Sequence, residues 1–145
     1  MQKISCALFA LFSFISFSAQ AGTSTATSVS IAEQSAKEYG IHAKKLDPKS
    51  TLSAEAGRAF YTKKVEVNGK DLSCSACHTD NPASTGKHNE TGKAIKPLAP
   101  SANSARFSNR NKAEKGFTKH CKDLYGKNCT PQEKGDFITY LLTVQ

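Results

Sequence analysis

The chain has 145 residues and a formal net charge of +8 at pH 7, with five cysteines, one methionine and no tryptophan. This length suits one small domain and excludes a large multidomain enzyme. Nucleic-acid binding is a poor interpretation of the charge, because no groove motif of interleaved aromatic and basic residues accompanies it.

The first 21 residues have the pattern of a cleaved secretory signal peptide. Lys3 supplies a positive start, the run 4–17 is almost wholly apolar, and Ala19-Gln20-Ala21 is a small-x-small cleavage site. The apolar run is too short for a membrane span, and no other stretch approaches that length. We therefore predict an exported, periplasmic protein that has no membrane span in its mature form and sits where disulfides persist.

Residues 22–50 form a predicted N-terminal extension. Its first part is rich in Ser, Thr and Ala and predicts a flexible terminus. A capping-box pattern starts at Ser30, and apolar residues then recur at helical intervals. The pattern predicts one short helix over about 31–39, with His42 in the loop that follows.

Three further helices are predicted in the domain that covers residues 51–145. The first starts near Ser53 and contains Gly57, which costs a helix up to about 1 kcal/mol relative to alanine. Close approach of another helix would compensate for this cost; a merely tolerated glycine is the alternative. The other two helices cover about 112–124 and, after a capping box with proline at N1, the segment from Pro131 onwards.

The connections predict a wrapped loop rather than a sheet. Asn68-Gly69 indicates a turn. Residues 79–104 are rich in Asn, Pro, Gly, Ser and Thr, and this length is too great for an ordinary connection. We expect a loop wrapped around another group, with residues 97–100 as its stiff apolar part. No internal repeat and no convincing strand pair are visible, so the predicted fold class is all-α.

Cys74-Ser75-Ala76-Cys77-His78 has the C-x-x-C-H spacing of a c-type haem attachment motif. The two thiols add to the haem vinyl groups, and the histidine that follows binds the iron on the proximal side. A zinc site would need about four ligands, usually in two paired sets. A redox dithiol would be expected in a thioredoxin-like βαβ context. Because the sequence offers neither, we predict one haem c, covalently attached through the two cysteines.

The second axial ligand of the iron is the informative question. The only methionine is Met1, in the predicted signal peptide, so methionine ligation is excluded for the mature protein. His42 lies in a predicted surface loop, and His88 lies among polar residues. His120 lies on the apolar face of the third predicted helix, and we favour it as the distal ligand. A weaker ligand such as Asn or Lys, an open position, or a core role for this histidine are the alternatives.

Further residues around the haem are predicted by position. Cys121 can close a short loop with Cys129, which would stabilise the segment by about 2–4 kcal/mol. The Arg106 guanidinium either pairs with a haem propionate through a charge-assisted hydrogen bond or caps the neighbouring turn. The apolar candidates for haem binding are Pro97, Leu98, Phe107 and Phe117.

With these motifs, the sequence resembles the sphaeroides haem protein (SHP) type of class I cytochrome c. The likeness runs without obvious gaps over 91–145 and more loosely over 53–78. Besides the haem motif, it is carried by Thr91-Gly92-Lys93-x-Ile95, Pro97-Leu98-Ala99-Pro100-Ser101-Ala102, Arg106-Phe107, Cys121 and Gly126-Lys127-x-Cys129-Thr130-Pro131-x-Glu133-Lys134.

The resemblance implies a class I cytochrome c fold, with about four helices and loops wrapped around one haem. The N- and C-terminal helices of that fold cross, which would give Gly57 and Phe60 a partner in Tyr140 and Leu141. It also implies a disulfide between the two cysteines at positions 121 and 129.

The resemblance further implies an electron carrier that can bind small diatomic molecules such as nitric oxide. Its expected partner is a redox protein, such as a dihaem cytochrome c or a membrane cytochrome b. One departure matters: the family has a weak asparagine ligand immediately before the first disulfide cysteine, where this chain has His120. We therefore expect low-spin iron ligated by His78 and His120.

Two functions stay open on the sequence alone. The first is single-electron transfer in the periplasm by a carrier rather than an enzyme. The second is binding or reduction of small ligands such as NO or O2 at a distal site opened by loss of the distal ligand. Six lysines could steer an acidic partner or simply be scattered solubilising residues. They are Lys63, Lys64, Lys70, Lys87, Lys93 and Lys96.

Overall fold

The structure, a computed structural model, describes residues 23–145; the predicted signal peptide lies outside the described residues. The described part of the chain forms five α-helices and two short antiparallel strand pairs. None of these helices has both the length and the apolar character that a membrane span requires. The helices are α1 Thr23–Leu46, α2 Ala54–Thr62, α3 Cys74–His78, α4 Arg110–Tyr125 and α5 Pro131–Leu142.

The predicted helix over 31–39 is far too short. The 24-residue α1 begins at Thr23, so the predicted flexible terminus is helical from that residue onwards, and His42 lies in the helix rather than in a loop. Tertiary packing explains the extra length, because the backbone of α1 runs close to α5, and such packing stabilises helices more than local propensity does. The buried alanines of α1 are Ala32, Ala36 and Ala43.

α2 and α5 cross at Gly57, as the resemblance predicts. A Cβ atom on Gly57 would collide with the backbone carbonyl of Asp136 and lie 2.8 Å from Cβ of Tyr140. The glycine is therefore required for two helix backbones to touch, and this contact offsets its helical cost. Ser53 caps α2 by accepting a hydrogen bond from the N–H of Ala56 at 3.1 Å.

The core forms on one face of α5. Its buried apolar stripe contains Phe137, Ile138, Tyr140 and Leu141. The start of the helix has the predicted capping box, with proline in the first turn. Because caps and apolar periodicity agree here, this helix is the one that the sequence predicts best.

Aromatic rings of α2 pack against that stripe. The Tyr61 ring centroid lies 5.6 Å from that of Tyr140 and 6.2 Å from that of Phe137. Phe60, expected to meet Tyr140, has its ring contacts with Phe137 at 6.3 Å and Tyr125 at 5.4 Å. Both Phe60 and Tyr61 of α2 thus pack against aromatic rings of α5.

The prediction that strand pairs are absent is wrong. β1 (Val65–Val67) pairs with β2 (Lys70–Leu72) in an antiparallel register. The turn between them is Asn68-Gly69, where both residues have positive φ, 52° and 75°, as tight hairpin turns require. The second pair joins β3 (Gly86–Lys87) to β4 (Ala94–Ile95). Strands of two or three residues give too little alternation to be recognised in a sequence.

α4 relates to the other helices differently. The backbones of α1 and α2 both run close to α5, whereas α4 reaches the rest of the molecule mainly through side chains. Phe117 is one such side chain: its ring centroid lies 5.8 Å from that of Tyr39 in α1 and 5.6 Å from that of Phe137 in α5. Both contacts are edge-to-face.

Candidate haem site

The motif Cys74-x-x-Cys77-His78 forms the one-turn helix α3. The Ser73 hydroxyl caps it by accepting a hydrogen bond from the N–H of Ala76 at 3.2 Å. Both cysteines of the motif are unpaired and partly buried. The cap fixes the helical turn that brings the two thiols and the imidazole into one short segment.

A buried tyrosine holds the end of this helix. The Tyr61 hydroxyl donates to the backbone carbonyl of His78 at 3.1 Å and also to that of Thr79. Thr79 ends the helix with a positive φ of 63°. Sequence reasoning missed Tyr61, because an aromatic residue on an amphipathic helix is ordinarily read as core alone.

A glycine allows the following loop to lie directly on the motif. A Cβ atom on Gly86 would collide with the carbonyl oxygen of Cys77 and lie 3.0 Å from Cα of His78. β3 can therefore approach the backbone of α3 only with glycine at this position. Sequence reasoning missed this residue also; the only available signal was a glycine in a polar loop.

The thiol of Cys74 and the imidazole of His78 are both held in their neutral forms. Burial raises the pKa of Cys74 to about 11, so this thiol is protonated at neutral pH. Burial, followed by the charges of Arg106 and His120, lowers the pKa of His78 to about 4. A neutral imidazole has a free lone pair for a metal ion, which a protonated one lacks.

The loop between α3 and α4 folds back on itself beside the motif. The N–H groups of Leu98 and Ala99 donate to the carbonyl of Pro82 at 2.9 and 3.0 Å. The Arg106 guanidinium donates to the carbonyl of Pro97 at 3.1 and 3.3 Å and to that of Lys96 at 3.2 Å. Arg106 therefore caps this stretch of chain, while its pairing with a haem propionate stays a prediction.

The apolar candidates divide into two groups. Leu98 and Phe107 are buried in the same core cluster as Tyr61, and Cys74 packs against that cluster. Phe117, like Cys74, packs against this cluster from outside, and its ring also meets that of Tyr39. Pro97, also half-buried, contributes its carbonyl to the Arg106 contacts described above. Direct contact of these four residues with a haem stays a prediction.

His120 comes into the neighbourhood of His78 from α4. The two are close enough for His120 to lower the pKa of His78. His120 is exposed on α4, so the expectation that it lies on a buried, apolar face of this helix is wrong. Partial desolvation of its imidazole and, after it, the charge of Lys119 lower the pKa of His120. Arg106 acts on both imidazoles. His88 also contributes to the lowered pKa of His120, so the structure brings three of the four histidines and this arginine near one another.

His88 and His42 have other surroundings than the two proposed ligands. The Nδ1 atom of His88 accepts hydrogen bonds from the N–H groups of Glu90 and Thr91, both at 3.3 Å, and so holds the turn between β3 and β4. His42 is exposed on α1.

Immediately after His120, Cys121 forms a disulfide with Cys129, with their Cα atoms 5.6 Å apart. This bond joins α4 to the segment that leads into α5.

The donor set of this site fits a haem c. Covalent attachment needs two unpaired thiols at C-x-x-C spacing, and Cys74 and Cys77 supply them. The Cys74 thiol is protonated. Proximal ligation needs a neutral imidazole directly after the second cysteine, and His78 supplies it. His120 would supply a second nitrogen donor, and Cys74 borders an apolar cluster suited to a porphyrin ring.

The chain is similar to known proteins. Residues 47–141 match the family model described as a domain of unknown function, DUF1924. The chain is 50% identical over 88 residues to cytochrome c'' of Methylophilus methylotrophus, across 60% of this chain and 61% of that sequence. It is 39% identical over 90 residues to the cytochrome c-type protein SHP of Cereibacter sphaeroides, across 61% of this chain and 68% of that one. The match to cytochrome c'' thus spans about three fifths of that relative's length.

Solved structures agree with these matches. The crystal structure of oxidised cytochrome c'' aligns with a TM-score of 0.76 and 43% identity, covering 81% of this chain and 97% of that one. A solution structure of the same cytochrome, concerned with haem-ligand detachment, gives a TM-score of 0.71 at 44% identity, covering 79% and 94%. Oxidised SHP, described as an oxygen-binding cytochrome c, gives a TM-score of 0.67 at 33% identity, covering 76% and 94%.

Proposed function

Because this chain belongs to the SHP-type class I cytochromes c, we propose that it is a periplasmic single-electron carrier whose haem iron is ligated by His78 and His120. The predicted cofactor, one covalently bound haem c, is confirmed by these relatives, as is the mostly helical class I fold. Its attachment through Cys74 and Cys77 is part of the proposal. When bound, the haem supplies the iron that accepts and releases the electron.

One observation supports the ligand assignment: His120 on α4 is near enough to His78 on α3 to lower its pKa. Both have lowered pKa values, so both imidazoles are neutral and able to bind a metal near pH 7. Methionine cannot compete, because Met1 is the only one in the sequence. His88 is held in its hairpin turn and His42 lies on α1.

Export supports the periplasmic assignment. The first 21 residues have the pattern of a signal peptide, and the Cys121–Cys129 disulfide suits an oxidising compartment. The two motif thiols escape such pairing once each is bonded to a haem vinyl group.

The proposed partner is an acidic redox protein, for which a dihaem cytochrome c or a membrane cytochrome b is a candidate. All six lysines named above are exposed, and they lie on the segments that flank α3: the end of α2, β2, and the loop containing β3 and β4. Such a group of cations would speed association and make it salt-dependent. Electron exchange measured against ionic strength tests this: a rate that does not fall with added salt contradicts it.

The absorption spectra of the purified haem protein test the axial ligands. We expect a low-spin ferric spectrum, which His120→Ala converts to high spin. His42→Ala is the matched control, because it removes an exposed imidazole elsewhere on the chain and should leave the spectrum unchanged. A wild-type ferric spectrum that is already high-spin, or one insensitive to His120→Ala, would show that His120 is not the distal ligand.

A second candidate function is the binding of NO or O2 at the distal side. It is favoured by the relatives, one an oxygen-binding cytochrome c and the other studied for haem-ligand detachment, and by the side-chain attachment of α4. Stopped-flow addition of NO to the reduced protein separates the two functions. Fast stoichiometric binding favours ligand binding, whereas absence of binding together with rapid electron exchange favours the carrier.

A further inference from the structure

A charged side chain lies buried on the inner face of α5. Lys134 is only 8% exposed, although lysines are almost never fully buried unless they are paired. Its Nζ atom forms an ion pair with Oε1 of Glu114 in α4. The other carboxylate oxygen of Glu114 accepts a hydrogen bond from the hydroxyl of Tyr39 in α1. Three helices therefore meet at one carboxylate.

Two aromatic rings complete the surroundings of this lysine. Its Nζ atom lies 5.5 Å from the ring centroid of Tyr39 and 5.7 Å from that of Phe117, both within the range of cation–π attraction. We call Lys134, Glu114, Tyr39 and Phe117 the Lys134 cluster. Two of its members, Glu114 and Phe117, belong to the helix that carries His120.

Stability alone is a weak reason for such a cluster. A buried ion pair costs so much desolvation that well-packed apolar residues often stabilise a core equally well. What the pair adds is direction, because charge-assisted hydrogen bonds in a region of low dielectric hold their partners in one geometry. The cluster therefore fixes where α4 lies relative to α1 and α5.

The position of the cluster along α4 connects it to the distal ligand. Residues three apart are neighbours on a helix, so Phe117 adjoins both Glu114 and His120 in α4, while Glu114 and His120 themselves lie about 120° apart around the helix axis. On the other side of His120, the disulfide holds Cys121. The imidazole thus lies between two anchors, one covalent and one made of side-chain contacts that can break.

A second link between α1 and α4 provides a contrast. Glu38 and Arg110 form an ion pair at the start of α4, but their side chains are 47% and 63% exposed. Exposed pairs contribute little, because water and salt screen them. The two carboxylates are similarly exposed, since the Glu114 side chain is 44% exposed, but the Lys134 side chain is only 10% exposed. The Lys134 cluster is therefore the stronger of the two links because its cation is buried.

We infer that the Lys134 cluster positions His120 and sets how readily its imidazole leaves the haem iron. Lys134, Glu114 and Tyr39 are thus positioning residues for distal ligation, an inference that rests on the proposed function. Loss of the ion pair frees the first half of α4 and allows His120 to move away from the iron.

The test uses the ferric haem protein and measures how fast saturating cyanide replaces the distal ligand, since that limiting rate reports the departure of His120. Lys134→Met keeps the length and apolar stem of the side chain but removes the charge, and should raise the limiting rate about tenfold. Glu114→Gln should raise it to a similar extent. Lys134→Arg keeps the positive charge and should return the rate towards that of the wild type.

Glu38→Gln is the matched control, because it breaks the more exposed ion pair with Arg110, which joins α1 to α4. Its limiting rate should stay within about twofold of the wild type. If Lys134→Met does not fold, Tyr39→Phe removes a single hydroxyl, keeps the ring, and should still raise the rate about threefold. Cluster variants that unfold more easily but exchange ligands at the wild-type rate would show a purely structural role and overturn the inference.

The proposed function and this inference fail in different ways. If His120→Ala leaves the ferric spectrum unchanged, the ligand assignment is wrong and the inference falls with it. If His120→Ala converts the spectrum to high spin while Lys134→Met and Glu114→Gln leave the cyanide rate unchanged, only the inference is wrong. Combining Lys134→Met with His120→Ala should remove the effect of the lysine, because no imidazole is then left to be positioned.

Discussion

The two sides of the candidate haem site are held in different ways. On the proximal side, α3 is fixed through its backbone: Ser73 caps it, Tyr61 bonds its last carbonyls, and Gly86 lets the next strand lie against it. On the distal side, α4 is fixed through side chains that come from distant parts of the chain, apart from the disulfide.

The difference teaches how one site can combine a permanent ligand with a releasable one. Backbone contacts hold a segment at many points at once, so His78 cannot move without disrupting the fold around it. Side-chain contacts can break singly, at costs of one or a few kcal/mol each. With His120 as the proposed distal ligand, we therefore expect that this histidine can leave while His78 stays in place. Each of the following substitutions disrupts contacts on one side of the site only.

The largest effect is expected on the proximal side from Gly86→Ala. The added methyl group meets the backbone carbonyl of Cys77, which cannot rotate away. Overpacking of this kind costs up to about 3 kcal/mol, measured by urea unfolding of the haem protein. Gly116→Ala in α4 is the control, because its methyl group meets nothing within 4 Å and should be neutral or stabilising by up to about 1 kcal/mol. Equal losses in both variants would contradict the prediction.

Removal of the disulfide should be the next largest effect, and it should act on the distal side. Replacing Cys121 and Cys129 together by serine opens a loop with a sequence separation of 8 residues, which corresponds to a loss of about 2.5 kcal/mol in the chain-entropy account. Urea unfolding measures the loss, and mass spectrometry should show the haem still attached. Faster cyanide binding should accompany it. A distal ligand as firmly bound as in the wild type would argue against the disulfide as an anchor.

Tyr61→Phe tests the proximal contacts more gently. It removes the hydroxyl that serves the carbonyls of His78 and Thr79, at a cost of about 1.5 kcal/mol. Tyr140→Phe is the matched control, since its ring lies 5.6 Å from that of Tyr61 and keeps its packing. Chemical denaturation should separate the two variants, with Tyr61→Phe the less stable. Cyanide binding should be normal in both, because the distal side is untouched.

Local signals explain which parts of this fold could be predicted from the sequence. C-x-x-C-H, the capping box before α5 and the apolar stripe of that helix all depend on residues close together in the chain. Gly57 was interpretable because a glycine inside a helix needs a compensating contact. Each of these signals has a physical cause that acts over one or two helical turns.

Long-range contacts explain the rest. The length of α1 depends on packing against α5, which no pattern around Ser30 records. Lys134 would be assigned to the surface by composition alone, and only the arrival of Glu114 from α4 makes its burial possible. In the same way, the Tyr61 hydroxyl donates a hydrogen bond to the backbone carbonyl of His78, 17 positions further along the chain. The approach of His120 to His78 was predicted from the place of His120 on the apolar face of a predicted helix and from the absence of methionine, and the resemblance then placed it at the family's ligand position.

The smallest expected effect concerns the distal side and depends on pH. Lys134 and Tyr39 hold the pKa of Glu114 below its ordinary value of 4.5, against the opposing effect of burial. Around pH 4.5 the unfolded chain therefore binds more protons at this position than the folded chain does. The stabilisation is complete above that pH and is lost as the pH falls through the lower, folded pKa.

Glu114→Gln should be less stable than the wild type at pH 7, and the difference should shrink towards pH 3. It should be modest, because the Glu114 side chain is 44% exposed and partly screened. Urea unfolding at pH 7, 4.5 and 3 measures it, with Glu38→Gln for comparison; a difference that is constant over this range would show that the ion pair with Lys134 does not anchor α4.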